Sequence, residues 1–545
     1  MKKILVSLLL TSHFSLLTCY SQPKLVVGIV VDQMRYDYID KYWSKFGNDG
    51  FKRLVNEGYN CKNTNYNYVP TFTGPGHAAI FSGTTPSVNG IVANEWVNRE
   101  TSKKVYCVFD NAMNSVGYNS DAGKMSPQNL ISSTIGEELR KKSLNKSKVI
   151  GISLKDRGAI LSAGHNATSA YWYYGPSGNW VTSTYYMKEL PQWVNDFNKK
   201  ELAKQYLSQQ WTTMLPIDQY TESDADDNEC EELFKGKEKP TFPYDIPALM
   251  KQNGELALIR STPFGNTFTK DFAVETIKNE NLGKGSVSDF LCVSFSSTDY
   301  IGHQFGPQSV EVEDCYIRLD KDLAEFFKFI DEWIGKTNAL VFLTSDHGAG
   351  EAVPCLLKKN IPAGVIDEKA VSDSLKKFFL RTYKDSFLIA VSDFDIYLDR
   401  EKINKKNMSV ANVSYKTAQY LMTLDGIADA VTATTLDGEK NFFTDGSARD
   451  AIRAKVRMGF YQNRCGDIIF VLKEHWLEGF HKGTSHGSPY SYDTHVPLLW
   501  WGYNVKQGSS NEAITITQIA PTVSKLLKIP MPSGCTTKPI SSLVK

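Results

Sequence analysis

The sequence predicts an α/β fold with a central, mostly parallel sheet flanked by helices and interrupted by insertions. Three apolar runs predict it: KLVVGIVVDQM, DFLCVSFSSTDYIGHQFG and NALVFLTSDHG. Each is short, β-branched and nearly continuous, the pattern of a strand buried on both faces of a parallel sheet. Each also ends on polar residues of metal-ligand type. The first delivers Asp32, the second Asp299 and His303, the third Asp346 and His347. Ligands of open α/β sheets bind beyond the carboxyl ends of the strands, so these side chains are expected to converge.

Lys2 and Lys3 precede ILVSLLLTSHFSLL, a stretch too short and too polar for a transmembrane helix. Residues 1–22 therefore read as a secretory signal peptide. Cys19 leaves a second reading open, a lipid anchor on the outer membrane. The mature chain, 23–545, is expected to be one catalytic domain. Residues 23 to about 155 alternate strand and helix patterns. The stretch of about 165–260 (YWYYGPSGNW, TESDADDNECEE) lacks that alternation and reads as an insertion beside the site. The core returns at about 285–350. A small α+β insertion follows at about 385–460, and from about 465 the runs IIFVL and VPLLWWG and the helix ITQIAPTVSKLL read as core again.

An isolated Asp at a strand end is ordinarily a turn or cap residue. Here DxxxH and DH leave separate buried runs, and His486 in HKGTSHGS precedes another buried-strand pattern, HVPLLWWG. Clustered carboxylates repel one another unless a cation neutralises them. Three Asp and three His suit two divalent ions of the zinc type.

The nucleophile candidate lies in YVPTFTGPGHAAIFSG, where Pro70, Gly74, Pro75 and Gly76 make a turn and HAAIFSG reads as a helix. Thr73 then sits at or just before a helix N-terminus, where free N–H groups and the helix dipole favour an anion such as phosphate. Alone, Thr73 would read as an N-cap; beside a metal cluster, coordination could lower its pKa. Thr71 is the nearby rival. In SLKDR, Lys155 and Arg157 follow the apolar run KVIGIS and offer a point charge and a fork to a tetrahedral dianion. Their bland reading is a solvated surface pair.

With these segments, together with ANEW, STDYIGHQFGP, EVEDCYIRLDKDLAEFF and GTSHGSPYSYDTHVPLL, the chain resembles the alkaline phosphatase superfamily. It is most similar to the PafA-type, phosphate-irrepressible alkaline phosphatases, which use a threonine nucleophile. The matching segments run from near residue 24 to near residue 530. The resemblance implies an alkaline-phosphatase-like fold. It implies that Asp299, His303 and His486 hold one zinc, and that Asp32, Asp346, His347 and the Thr73 oxygen hold another. It further implies that Asn94, Lys155 and Arg157 contact the phosphoryl oxygens, and that phosphate monoesters are hydrolysed through a phosphothreonine.

Two rivals share the metals: a phosphodiesterase or nucleotide pyrophosphatase of the same superfamily, and an exported metal-binding protein without turnover. A sulfatase would need a Cys or Ser where Thr73 stands. The cation pair fits the extra charge of a monoester. Sixty-one Lys and Arg against 60 Asp and Glu leave a net charge of +1, which gives no reason to expect a nucleic acid partner. A monomer, periplasmic or secreted, is expected. Nine cysteines, or eight without Cys19, permit disulfides in an exported chain, and Cys292 reads as an inert core thiol.

Overall fold

In the computed structural model, which describes residues 22–437 and 447–544, the three apolar runs become the strands Leu25–Val31, Asp289–Phe295 and Ala339–Thr344. Every residue in them is buried. Leu25–Val31 lies between the other two and is parallel to both, with Leu25 opposite Asp289 and Ala339. Val149–Ser153 adds a fourth parallel strand outside Asp289–Phe295. Because the register is even, all four strands end on the same edge. The signal-peptide and Cys19 readings lie outside the described residues.

The sheet has ten strands. Side chains alternate between two cores, as a period of two requires. Val27, Ile29 and Val31 face one core, shared with the helices Phe264–Asn279 and Val310–Ile334; Val26 and Val30 face the other, shared with Thr73–Ser82, Ile135–Lys142 and Ile519–Leu527. Burying such a side chain is worth roughly 1.5–3 kcal/mol, so these continuous runs hold the edge that carries the site. The predicted strand in HVPLLWWG forms as Leu498–Gly502 but runs antiparallel to Ala339–Thr344.

Two sequence expectations change. YWYYGPSGNW is not an excursion: Ser169–Tyr174 pairs parallel with Val149–Ser153, and Asn179–Ser183 turns back antiparallel beside it. Its aromatic residues are strand formers that fill two core clusters. IIFVL does not return to the central sheet. Ile468–Leu472 lies in a separate four-stranded sheet with Leu388–Ser392, Asp395–Leu398 and Ile427–Thr432. An apolar run records that both its faces are covered, and here helices Glu368–Tyr383 and Val410–Leu421 help to cover it. This smaller sheet packs against the site edge, where Phe72 stacks on Phe394 at 5.8 Å.

Eight of the nine cysteines are described. Cys230 and Cys355 form a disulfide, and the other six are free and buried, Cys292 among them. Among the described residues no helix is long and apolar enough to cross a membrane.

Candidate active site

Beyond the strand ends the chain places Asp32 directly after Val31, Asp346 and His347 just past Thr344, and Asp299 in the first turn of helix Ser297–Phe305. His303 is one helical turn beyond Asp299, so its Nε2 reaches Asp299 Oδ1 at 3.2 Å. His486 arrives from the loop after the small sheet, its Nε2 3.7 Å from the same oxygen. His347 Nε2 lies 3.6 Å from Asp32 Oδ1 and 3.7 Å from Asp346 Oδ2. Two groups have the spacing of metal ligands: Asp299, His303 and His486, and Asp32, Asp299 and His347. Asp299 stands between them.

The donor chemistry fits divalent metal. Each histidine spends Nδ1 on a backbone carbonyl: His303 on Thr484 at 2.8 Å, His486 on Thr71 at 2.7 Å and His347 on Gly348 at 3.0 Å. That fixes the tautomer and turns the Nε2 lone pair inward, as metal-binding imidazoles require. Asp32 Oδ1, Asp346 Oδ2 and His347 Nε2 are buried without a hydrogen bond. Burial, then the charges of Asp299 and Asp346, raises the Asp32 carboxyl. Burial pushes Asp346 up to about 7 and His347 down to about 3. A bound cation removes the cost of charging these carboxylates and needs His347 neutral.

Thr73 opens the helix Thr73–Ser82 as its first residue; the extended cap is Phe72, and Gly83 at φ +68 closes the helix. Pro75 is tolerated in the first turn because its missing N–H has no partner there. Gly76 lets the helix lie against Asp346, whose Cβ would stand 2.7 Å from any added Cβ. The cap reading of Thr73 therefore does not hold. The expectation of several free amides at this N-terminus also fails. Gly74 N–H donates to Asn94 Oδ1 at 2.9 Å, Gly76 N–H donates to Phe72 O, and Pro75 has none. That bond leaves the Asn94 NH2 as the available donor.

Lys155 caps helix Asp156–Ala163 and Arg157 is its second residue. Both point at the Thr73 hydroxyl: Lys155 Nζ and Arg157 Nη2 lie 3.4 and 3.5 Å from Thr73 Oγ1. Lys155 is buried and not a solvated surface residue, with its ammonium 2.6 Å from Asp299 and 2.7 Å from Asp32. Burial alone would lower that ammonium, but the two carboxylates outweigh it and hold its pKa above the ordinary value. Thr71 offers less. Its hydroxyl donates to Ser488 O at 3.2 Å, and its carbonyl holds His486.

Several site residues escape the sequence reading. Gln33, at φ +62, ties two carboxylates together: its N–H donates to Asp346 Oδ1 at 3.2 Å and its Nε2 to Asp299 Oδ1 at 2.9 Å. His77 sits one turn after Thr73, 2.9 Å from Thr73 O and 3.4 Å from Asp346 Oδ2. That i to i+4 spacing from Thr73 was the available signal. Tyr106 accepts from Arg157 at 3.2 Å and donates to Asp156, which steadies the guanidinium. Nothing in a single sequence marks Gln33 or Tyr106.

A family model described as type I phosphodiesterase / nucleotide pyrophosphatase matches residues 26–495. Alkaline phosphatase PafA of Elizabethkingia meningoseptica is 43% identical over 96% of this chain and 95% of its own. A protein of Myroides odoratus named calcium-transporting ATPase is 42% identical over 96% of this chain and 95% of its own. The crystal structure of wild-type alkaline phosphatase PafA superposes with a TM-score of 0.91 at 42% identity, covering 96% of this chain and 99% of that one.

Proposed function

The chain belongs to the alkaline phosphatase superfamily, in its PafA-type branch, and is a phosphatase; from that premise we propose that it is an exported, monomeric enzyme that hydrolyses phosphate monoesters through a phosphothreonine at Thr73, with two zinc ions. The observation that carries this reading is one hydroxyl, Thr73 Oγ1, faced by Lys155 and Arg157 and flanked by two groups of inward carboxylates and imidazoles.

Asp299, His303 and His486 would hold one ion; Asp32, Asp346 and His347, with Thr73, would hold the other. Zinc there supplies a Lewis acid that lowers the pKa of nearby hydroxyls and offsets charge on the transferring phosphoryl group. Lys155, Arg157 and the Asn94 amide bind the non-bridging oxygens. Asp156 and Tyr106 keep the guanidinium turned inward. Thr73 Oγ attacks phosphorus in line, forming one P–O bond as the bond to the leaving alcohol breaks. Water then cleaves the phosphothreonine, releasing inorganic phosphate and restoring the hydroxyl. Most of the catalysis is positioning plus electrostatics.

Elemental analysis of the purified protein is expected to give about two zinc per chain. Exhaustive chelation should abolish turnover of p-nitrophenyl phosphate, and zinc should restore it. Full activity with metal confirmed absent overturns the two-zinc reading.

The Cys230–Cys355 disulfide supports export, because such bonds persist in oxidising compartments. Removal of roughly the first 18 to 22 residues is expected. Mass spectrometry of the mature N-terminus checks it. A free Tyr20, Gln22 or Pro23 means a soluble periplasmic or secreted enzyme, a diacylglyceryl Cys19 means an anchored lipoprotein, and an intact Met1 refutes export.

A further inference from the structure

Beside the cation pair lies a cavity to which the proposed mechanism gives no role. It holds about 240 Å3 and is lined by Lys155, Arg157 and Arg260, with Trp172, Tyr174 and Tyr300 among its aromatic walls. The strands explain why these residues meet. Trp172 is paired with Ser153, so Tyr173 and Tyr174 run on beside Leu154 and Lys155, one strand spacing away. Arg260 reaches this edge from the segment Glu255–Ser261. Its Nη2 donates to Tyr173 O at 2.7 Å, and its guanidinium lies 5.4 Å from the centroid of the Tyr173 ring. Tyr300 follows Asp299, and Lys155 Nζ lies 5.2 Å from the centroid of its ring. The cavity therefore meets the active site at Asp299.

The charges in this cavity do not cancel. Lys155 is paired with Asp32 and Asp299. Arg157 has Asp156 beside it, the one carboxylate among the described residues that line the cavity. Arg260 has no carboxylate partner among the described residues: Nη2 is spent on a carbonyl, and its buried Nε has no hydrogen bond. A guanidinium carries five N–H donors in a fork that matches carboxylate and phosphate. Set in a protein wall, it attracts an anion more strongly than a fully solvated cation would.

We propose that Arg260 binds a second anionic group carried by the leaving group, so that the preferred substrates are phosphate monoesters whose alcohol or phenol bears a carboxylate or a further phosphate. The proposal rests on the monoesterase reading. There the leaving group departs opposite Thr73, on the side of Asp299, His303 and His486, and the cavity meets the site at Asp299. Pockets for drug-sized ligands run to about 300–1,000 Å3, so this smaller space suits a compact substituent rather than a polymer. Trp172, Tyr174 and Tyr300 give it aromatic surface for a ring or a short carbon chain. A neutral leaving group would fill the space and leave the guanidinium unpaired.

The test uses the zinc-loaded mature protein and three esters built on one ring: p-carboxyphenyl phosphate, p-phosphonophenyl phosphate and the uncharged isostere p-carbamoylphenyl phosphate. Comparing variant with wild type on each ester cancels that ester's intrinsic reactivity. Arg260→Gln is expected to lower kcat/KM on the anionic esters about tenfold more than on the carbamoyl ester. Arg260→Lys, which keeps the charge, should recover part of that difference. The anion with the larger excess loss is the one the site takes. Melting curves and zinc content control for the lost contact with Tyr173. Equal losses on all three esters in folded protein overturn the proposal. If Arg260→Gln does not fold, a crystal structure of the wild type with p-carboxyphenylphosphonate decides: a carboxylate on Arg260 supports the site, and one left in solvent overturns it. Turnover of the carbamoyl ester by the wild type tests the monoesterase reading separately, and its failure would sink that reading whatever Arg260 binds.

Discussion

Thr73→Ala is expected to lower kcat on p-nitrophenyl phosphate by at least about a thousandfold and to leave no covalent phosphate on the chain. Thr73→Ser should keep part of the rate, since it retains the oxygen. The expectation rests on where that oxygen lies, within 3.5 Å of two cations and at the start of a buried helix. The same geometry makes the alanine variant informative. Thr73 is not the N-cap and its side chain caps nothing, so its removal should cost stability no more than a lost buried methyl and hydroxyl, about 1 kcal/mol. An inactive variant with a near-native melting curve therefore isolates chemistry from folding. Rapid acid quenching followed by peptide mapping checks the covalent step. Phosphate trapped on Thr71 or another residue shows the assignment of Thr73 to be wrong.

The strands bearing the site are legible in the sequence because burial on both faces leaves an uninterrupted apolar run, and the residues that end each run stand out against it. Asp32, Asp346 and His347 are read that way. What such a run cannot reveal is its neighbour. Leu498–Gly502 and Ile468–Leu472 look alike in sequence, yet one is an antiparallel strand of the large sheet and the other a strand of the small one. Aromatic strands such as Ser169–Tyr174 are missed for the opposite reason, because their tyrosines and tryptophan resemble loop composition until the sheet covers them. At the site, residues reached through backbone geometry are invisible beforehand. The carbonyls of Thr71, Thr484 and Gly348 orient three imidazoles, and no side chain records that role. Gln33 is similar, since it bridges Asp346 and Asp299 only because its backbone turns to φ +62.

The Lys155→Ala, Arg157→Ala double variant should lose far more kcat/KM on p-nitrophenyl phosphate than on bis-p-nitrophenyl phosphate. The family model includes phosphodiesterases in its description, so this comparison separates the two readings of the site. A monoester dianion carries one more negative charge at the transferred group than a diester. Two cations beside Thr73 Oγ1 favour that extra charge selectively. Each charge-assisted contact is worth roughly 1.5–3 kcal/mol, or about ten- to a hundredfold in rate. The two act on one phosphoryl group, so their losses need not add. Stability needs its own control. Lys155 is buried against Asp32 and Asp299, and its removal withdraws a charge those carboxylates lean on. The variant is therefore compared zinc-loaded, by melting curve, alongside Arg157→Ala. Arg157 makes no contact with those carboxylates and is held instead by Tyr106. Arg157→Ala alone should show the same selective loss at smaller size with a native-like Tm. Equal losses on both esters in folded protein would mean that the pair does not select monoesters, and the phosphodiesterase reading would then account better for the site.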